Sequence, residues 1–251
     1  RDGEENVLSM IPSTQPPPVN VLKEWEPPLA LSKKATVIKC RSYHNGQATS
    51  PVYSASYFVD PLGAKRYSLP DLSLICDSLD LFDYDSGIYV PGVHADPGNN
   101  RTGNFFERRI ESEQPVHIEY FETDGDQAQA QNGGLRIHGQ FSRRADQKSL
   151  RLYARSEYGK KYFEYPLFPK GELDQYKRVI LRSTMTTFDS RFGDAYISDL
   201  LRDLDFEFQD YQPVIVYLNG EYWGVHNMRE YLDEYFISGH YPEVDKDSIY
   251  M

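Results

Sequence analysis

Between Arg136 and Lys161 the sequence places Arg136, Arg143, Arg144, Lys148, Arg151, Arg155, Lys160 and Lys161 against Asp146 and Glu157 alone, in a chain whose net charge is -11. Such a reversal of sign over a short stretch needs a reason, and a local basic pocket for a small anion is one that the overall acidity allows. Leu150, Leu152 and Ala154 alternate with Arg151, Tyr153 and Arg155, and Leu135 and Ile137 alternate with Arg136 and His138, so both flanks read as strands with one apolar face. Period-two alternation puts Lys148 on the same face as Leu150 and Leu152. A lysine there requires a carboxylate or a ligand's phosphate, because an ammonium group is costly to bury alone. On the other reading Lys148 belongs to the connecting loop and reaches solvent along its stem. Arg143 and Arg144 stand in that loop, either to clamp phosphate oxygens in bidentate fashion or as a solvated hairpin tip.

The run G-G-L-R-I-H-G, followed by Ser142-Arg143, Gln147-Lys148-Ser149-Leu150-Arg151-Leu152, Tyr158-Gly159 and Tyr165-Pro166-Leu167-Phe168, resembles the spore-coat protein H (CotH) kinase family. A second run, Y-L-N-G-E-Y-W-G-V-H-N-M-R-E-Y-L-D from Tyr217 to Asp233, is similar to that family's second signature, and the likeness extends from about Leu69 to the end. The resemblance implies a divergent protein-kinase-like fold and ATP-dependent, Mg-assisted transfer of phosphate to Ser or Thr of secreted, surface or spore-coat proteins. It further implies that Lys148 pairs with Glu230 as the lysine and glutamate of protein kinases do, with Arg143 and Arg144 beside them on the nucleotide. The family's metal-binding and catalytic aspartates lie in later segments, and nothing after Asp233 matches them. The chain is therefore expected to be a fragment holding the phosphate-clamping half of the site, with negligible activity of its own. No residue is assigned to catalysis or to a metal. The resemblance also implies a bacterial, exported protein at the cell surface.

Composition narrows the alternatives. With 251 residues and 39% hydrophobic content the chain can bury a proper core. Its acidity argues against general binding to nucleic acid or anionic membrane, and no apolar run approaches a membrane span. Cys40 and Cys76 form no zinc or redox motif, the histidines do not cluster at metal spacing, and no hydrolase signature stands out. The 20 Tyr and 13 Phe leave open a non-catalytic surface or coat module that binds protein or glycan.

The expected architecture is α+β. Residues 1–62 read as a partial β-sandwich module and linker, and 63–251 as the N-terminal portion of a kinase-like domain with an antiparallel sheet and flanking helices. Pro16-Pro17-Pro18 and Pro27-Pro28 make the first thirty or so residues irregular. Alternating segments at 35–43 and 52–59 flank an Asn45-Gly46 turn and resemble the last strands of a chitobiase-like C-terminal β-module. Strands are predicted at Leu72–Cys76, Val116–Phe121 and Val179–Arg182, and Leu81–Val90 reads as a turn leading into a further strand, with turn-forming aspartates at Asp77, Asp80, Asp83 and Asp85 and a polar turn region over Asp124–Gly134. An amphipathic helix is predicted over Arg191–Leu204, after a loop at Ser183–Phe188; Asp189 and Asp194 near its start suit the helix dipole. The clearest hairpin joins Pro213–Leu218 to Glu221–His226 through Asn219-Gly220. A helix is predicted to follow over Asn227–Ser238, with Asn227 and Glu230 as a capping box and Gly239 closing it.

Overall fold

The computed structural model describes residues 32–183, 193–202, 204 and 207–250. In chain order the strands and helices are β1 (Thr36–Cys40), β2 (Tyr43–His44), β3 (Gln47–Ala48), β4 (Tyr53–Tyr57), β5 (Asp71–Ile75), α1 (Ser78–Phe82), β6 (Gln114–Phe121), β7 (Gln127–Ile137), β8 (Leu150–Tyr153), β9 (Phe163–Glu164), β10 (Gln175–Tyr176), β11 (Arg178–Ser183), α2 (Gly193–Leu200), β12 (Tyr211–Leu218), β13 (Glu221–Glu230) and α3 (Glu234–His240). Seven of the strands close into a barrel in the order β11-β13-β12-β5-β6-β7-β8. All neighbours are antiparallel except β12 and β5, which run parallel.

Alternation explains why the barrel forms. Leu72 and Leu74 of β5, Val116 and Ile118 of β6, Leu135 and Ile137 of β7, Leu150 and Leu152 of β8, Val179 and Leu181 of β11 and Val214 and Val216 of β12 all enter one buried core. Closure leaves these strands no bare edge. The protein is thus mostly β with a few short helices, which agrees with the broad α+β expectation.

A separate β-sandwich does not form among the described residues. β1 and β4 pair only with each other, and β4 lies against the barrel's outer surface. There the Ser56 amide donates to Glu119 at 2.9 Å, Ser56 and Ser73 hydroxyls meet at 2.7 Å, and Phe58 packs edge-on against Phe121 and Tyr217. Two strands cannot bury a face between themselves, so the hairpin borrows one from the barrel. Its turn is as expected, with Asn45 and Gly46 both at positive φ, and the Asn219-Gly220 turn of the β12–β13 hairpin shows the same pair of signs.

The barrel overturns two local expectations, one predicted strand does not form, and one predicted helix is met over part of its span. The capping box at Asn227 and Glu230 is absent, since β13 continues to Glu230 between β12 and β11, and α3 instead starts from Asp233, whose carboxylate accepts from the Tyr235 and Phe236 amides. Two ladders outweigh one local cap. The polar stretch at 124–134 is mostly strand, as β7 pairs with β6 from Gln127 onward and its inward Gln129 donates to Gln131. Ile88–Val90 joins no ladder, and the aspartates before it act locally: Asp77 caps α1, and Asp83 accepts from the Asp85 amide and from the amide and hydroxyl of Ser86. Helix α2 lies inside the predicted span but is shorter, and of its apolar residues Ala195 is buried while Tyr196, Ile197 and Leu200 face solvent. The predicted loop at Ser183–Phe188, beyond Ser183, and Asp189 fall outside the described residues, as do residues 1–31 and the side chain of Asp194.

Candidate functional site: the arginine face of the barrel

The cations of the basic stretch divide between two sides of the barrel wall. Lys148 is inward, as alternation from Leu150 requires, and only 4% exposed. Its ammonium group meets no carboxylate among the described residues. It donates to the carbonyls of Arg143 at 2.7 Å and Ala145 at 2.9 Å, and lies over the rings of Phe105 (4.2 Å) and Tyr89 (5.2 Å). Burial pushes the amine down to about 7, against a smaller pull upward from Asp146. The Tyr89 hydroxyl accepts from the Lys148 amide and the Trp223 indole and donates to the Asp146 carbonyl, so this corner is closed on itself.

Arg143 and Arg144 lie in the single helical turn 141–144 and are both buried, so a solvated hairpin tip is not formed. Arg143 donates to the carbonyls of Gly139, Phe105 and Glu107 at 2.7, 2.7 and 3.1 Å, and Arg144 lies over the Phe141 ring. A tight loop leaves carbonyls without amide partners, and the Arg143 and Lys148 side chains satisfy them.

The expected pairing of Lys148 with Glu230 is not made. Glu230 sits at the end of β13 opposite Val179, where its carboxylate accepts from the Asp210 amide at 3.0 Å and lies 3.0 Å from His240 Nε2. Extending β13 through Glu230 commits this side chain to the α3 side of the barrel.

On the outer surface Arg136 of β7 stands directly opposite Arg151 of β8. Like charges in register destabilise a sheet unless something intervenes. Glu113 does so for Arg136 and Arg155, at 2.8 and 2.7 Å, and also accepts from the Tyr158 hydroxyl. Arg178 of β11 is paired with Asp233 at 2.8 Å and Glu234 at 3.0 Å. These three guanidinium groups and Arg151 all approach the Tyr153 ring within 6 Å, which explains how an outward tyrosine is only 4% exposed.

Arg151 differs from its neighbours in having no carboxylate partner among the described residues. One terminal nitrogen lies 2.7 Å from His138 Nδ1, the other donates to the Tyr153 hydroxyl at 3.1 Å, and the guanidinium stacks 4.0 Å from the Tyr231 ring. Its buried Nε has no partner among the described residues. Burial, then Arg151, Arg143 and Arg182, push the His138 imidazole down to about 3. The ring is therefore neutral, and Nδ1 offers a lone pair to Arg151. A second uncompensated cation, Lys177, donates to the Lys161 carbonyl at 2.9 Å and lies over the rings of Tyr162 and Tyr235. Burial, and then Lys161, Arg155 and Arg178, hold it below the ordinary lysine range.

Beside this face a cavity of about 410 Å³ opens between α3 and the segment 173–178, with Tyr162, Arg178, Tyr231 and Tyr235 in its walls. Arg151, His138 and Tyr231 lie within the quoted motifs without an assigned role there, and Lys177 lies outside them. Arg151 was visible as an outward cation in the basic stretch, but Lys177 and Tyr231 reach it only through strand pairing. Among the described residues no three His, Cys, Asp or Glu side chains are grouped to hold a metal ion. No helix among them is long and apolar enough to cross a membrane.

Residues 135–251, a little under half of the chain, match the family model described as CotH kinase protein. The match begins at Leu135, the start of the apolar alternation that leads into the basic loop. No curated protein matches the chain.

Proposed function

We propose that the segment similar to the CotH kinase family is the phosphate-binding part of an ATP-dependent phosphotransferase acting on Ser or Thr of surface or coat proteins. The observation that carries this is Arg151: a guanidinium stacked on Tyr231, oriented by a neutral His138, with no carboxylate partner among the described residues. Such a group is prepared for an external anion, and bidentate contact with phosphate suits its planar fork.

On this reading Lys148, Arg143 and Arg144 shape the loop between β7 and β8 from within, while Arg151 and Lys177 face the nucleotide. Glu230 steadies α3 rather than the ammonium group. Bound ATP would supply the transferable phosphoryl group; the residues named here bind and orient its phosphates. No step is assigned to Mg. Export to the cell surface belongs to the same proposal.

Calorimetric titration of ATP tests it. The chain is expected to bind, and Arg151→Gln is expected to weaken binding about tenfold or more, the cost of losing a charge-assisted pair. A folded chain that binds no ATP, or an Arg151→Gln variant that binds as well as the parent, defeats the reading. The exposed Ile38, Tyr53 and Tyr57 on the outward side of β1 and β4 favour a second reading, a surface module that binds protein or glycan and is indifferent to Arg151.

A further inference from the structure

We propose, resting on the nucleotide reading above, that the cavity beside α3 receives the flat ring of the nucleoside, so that this face binds ring and phosphates as two separable halves. The cavity's volume of about 410 Å³ lies in the range of small-molecule sites. Its walls supply Tyr162 from one side, Tyr235 and Phe236 from α3, and Tyr231 from the chain between β13 and α3. Tyr231 joins the two halves, since the ring that lines the cavity is also the ring on which Arg151 stacks at 4.0 Å.

The charges around the cavity select the same ligand. Of the three carboxylates that line it, Asp174 is exposed to solvent, while the other two are already engaged within the fold. Glu230 is held by His240 and the Asp210 amide, and Asp233 by Arg178 and the first amides of α3. Lys177, between Tyr162 and Tyr235, has no such partner among the described residues. An uncharged ring would use the aromatic walls alone, and inorganic phosphate would use the cations alone. A ligand that joins a stacking ring to an anion uses both.

The test compares ATP with inorganic tripolyphosphate by calorimetric titration of the parent chain, Tyr162→Ala and Tyr235→Ala. The parent is expected to prefer ATP by on the order of tenfold or more, the stacking contribution of one base. Either variant is expected to lower ATP affinity to that of tripolyphosphate while leaving tripolyphosphate binding intact, which also shows that the variant is folded. Equal affinities in the parent, or an undiminished ATP preference in both variants, overturns the ring site and leaves the phosphate reading standing. A parent that binds neither compound overturns the reading and this inference together.

Discussion

Lys148 and Arg151 are three residues apart and lie on opposite sides of the same barrel wall. Lys148 turns inward, where water is excluded, and its charge is answered by loop carbonyls and two rings. Arg151 turns outward, where its neighbours Arg136, Arg155 and Arg178 take the available carboxylates and it is left with an imidazole, a hydroxyl and a ring. The difference teaches that a cation-rich motif need not act as one site. A barrel wall sorts its members by parity, the inward ones serving the fold and the outward ones left at the surface, where the proposed ligand would meet them.

The largest effect that separates the two sides is the loss of Lys148. Lys148→Ala strips the donor from two buried carbonyls and leaves a void, and is expected to cost about 3 kcal/mol or more in urea unfolding. Lys148→Met, which keeps the packing, is expected to cost about half as much. Arg151→Gln is expected to stay within about 0.5 kcal/mol of the parent, or to gain slightly, because it relieves the repulsion from Arg136 across the ladder. If Arg151→Gln proved the more damaging to folding, the division of roles would be wrong.

Acidity sharpens the same contrast, because Lys148 and His240 shift in opposite directions. Lys148 titrates near 7 in the folded chain against an ordinary 10.5, so the unfolded chain holds more protons between those values and stability rises with pH across that window. Lys148→Met is expected to flatten this slope in unfolding curves measured from pH 7 to 10. His240 is held above its usual 6.5, first by Glu230 and with Glu207 and Asp210 nearby. Its contribution is complete below 6.5 and is lost as pH rises through the folded value. His240→Gln is expected to remove that decline, worth less than about 1 kcal/mol for a partly exposed pair. The smallest effect is expected at His138. His138→Ala frees one nitrogen of Arg151 and is expected to lower ATP affinity only a few-fold in calorimetry, since stacking on Tyr231 persists. A tenfold loss would make His138 a direct contact rather than a positioning residue.

Much of this arrangement was legible in sequence, and the failures have a common cause. The inward direction of Lys148 followed from its parity with Leu150 and Leu152, and the two Asn-Gly turns from the preference of those residues for positive φ. The partner of Lys148 was not legible, because carbonyls carry no sequence signature while a carboxylate such as Glu230 does. Asn227 and Glu230 have the spacing of a capping box and lie in a strand, since ladders with both β12 and β11 are worth more than one cap. Gln127 to Gln131 look like a turn region and extend β7 because β6 is there to pair with them.

By itself the sequence determined the alternation that gives each barrel strand an apolar face, the turns that reverse the chain, and the local excess of positive charge. These depend on neighbours along the chain, and a period of two or a pair of turn residues states them completely. Only the tertiary structure decided that the strands close into a barrel, that the N-terminal hairpin lies on its outside, that carbonyls rather than Glu230 meet Lys148, and that Glu113 anchors Arg136 and Arg155. Those outcomes depend on which segments meet across long separations: Glu113 reaches Arg155 only because β6, β7 and β8 are adjacent in one sheet. Pairing energy between distant strands selects that order, and no local pattern of residues encodes it.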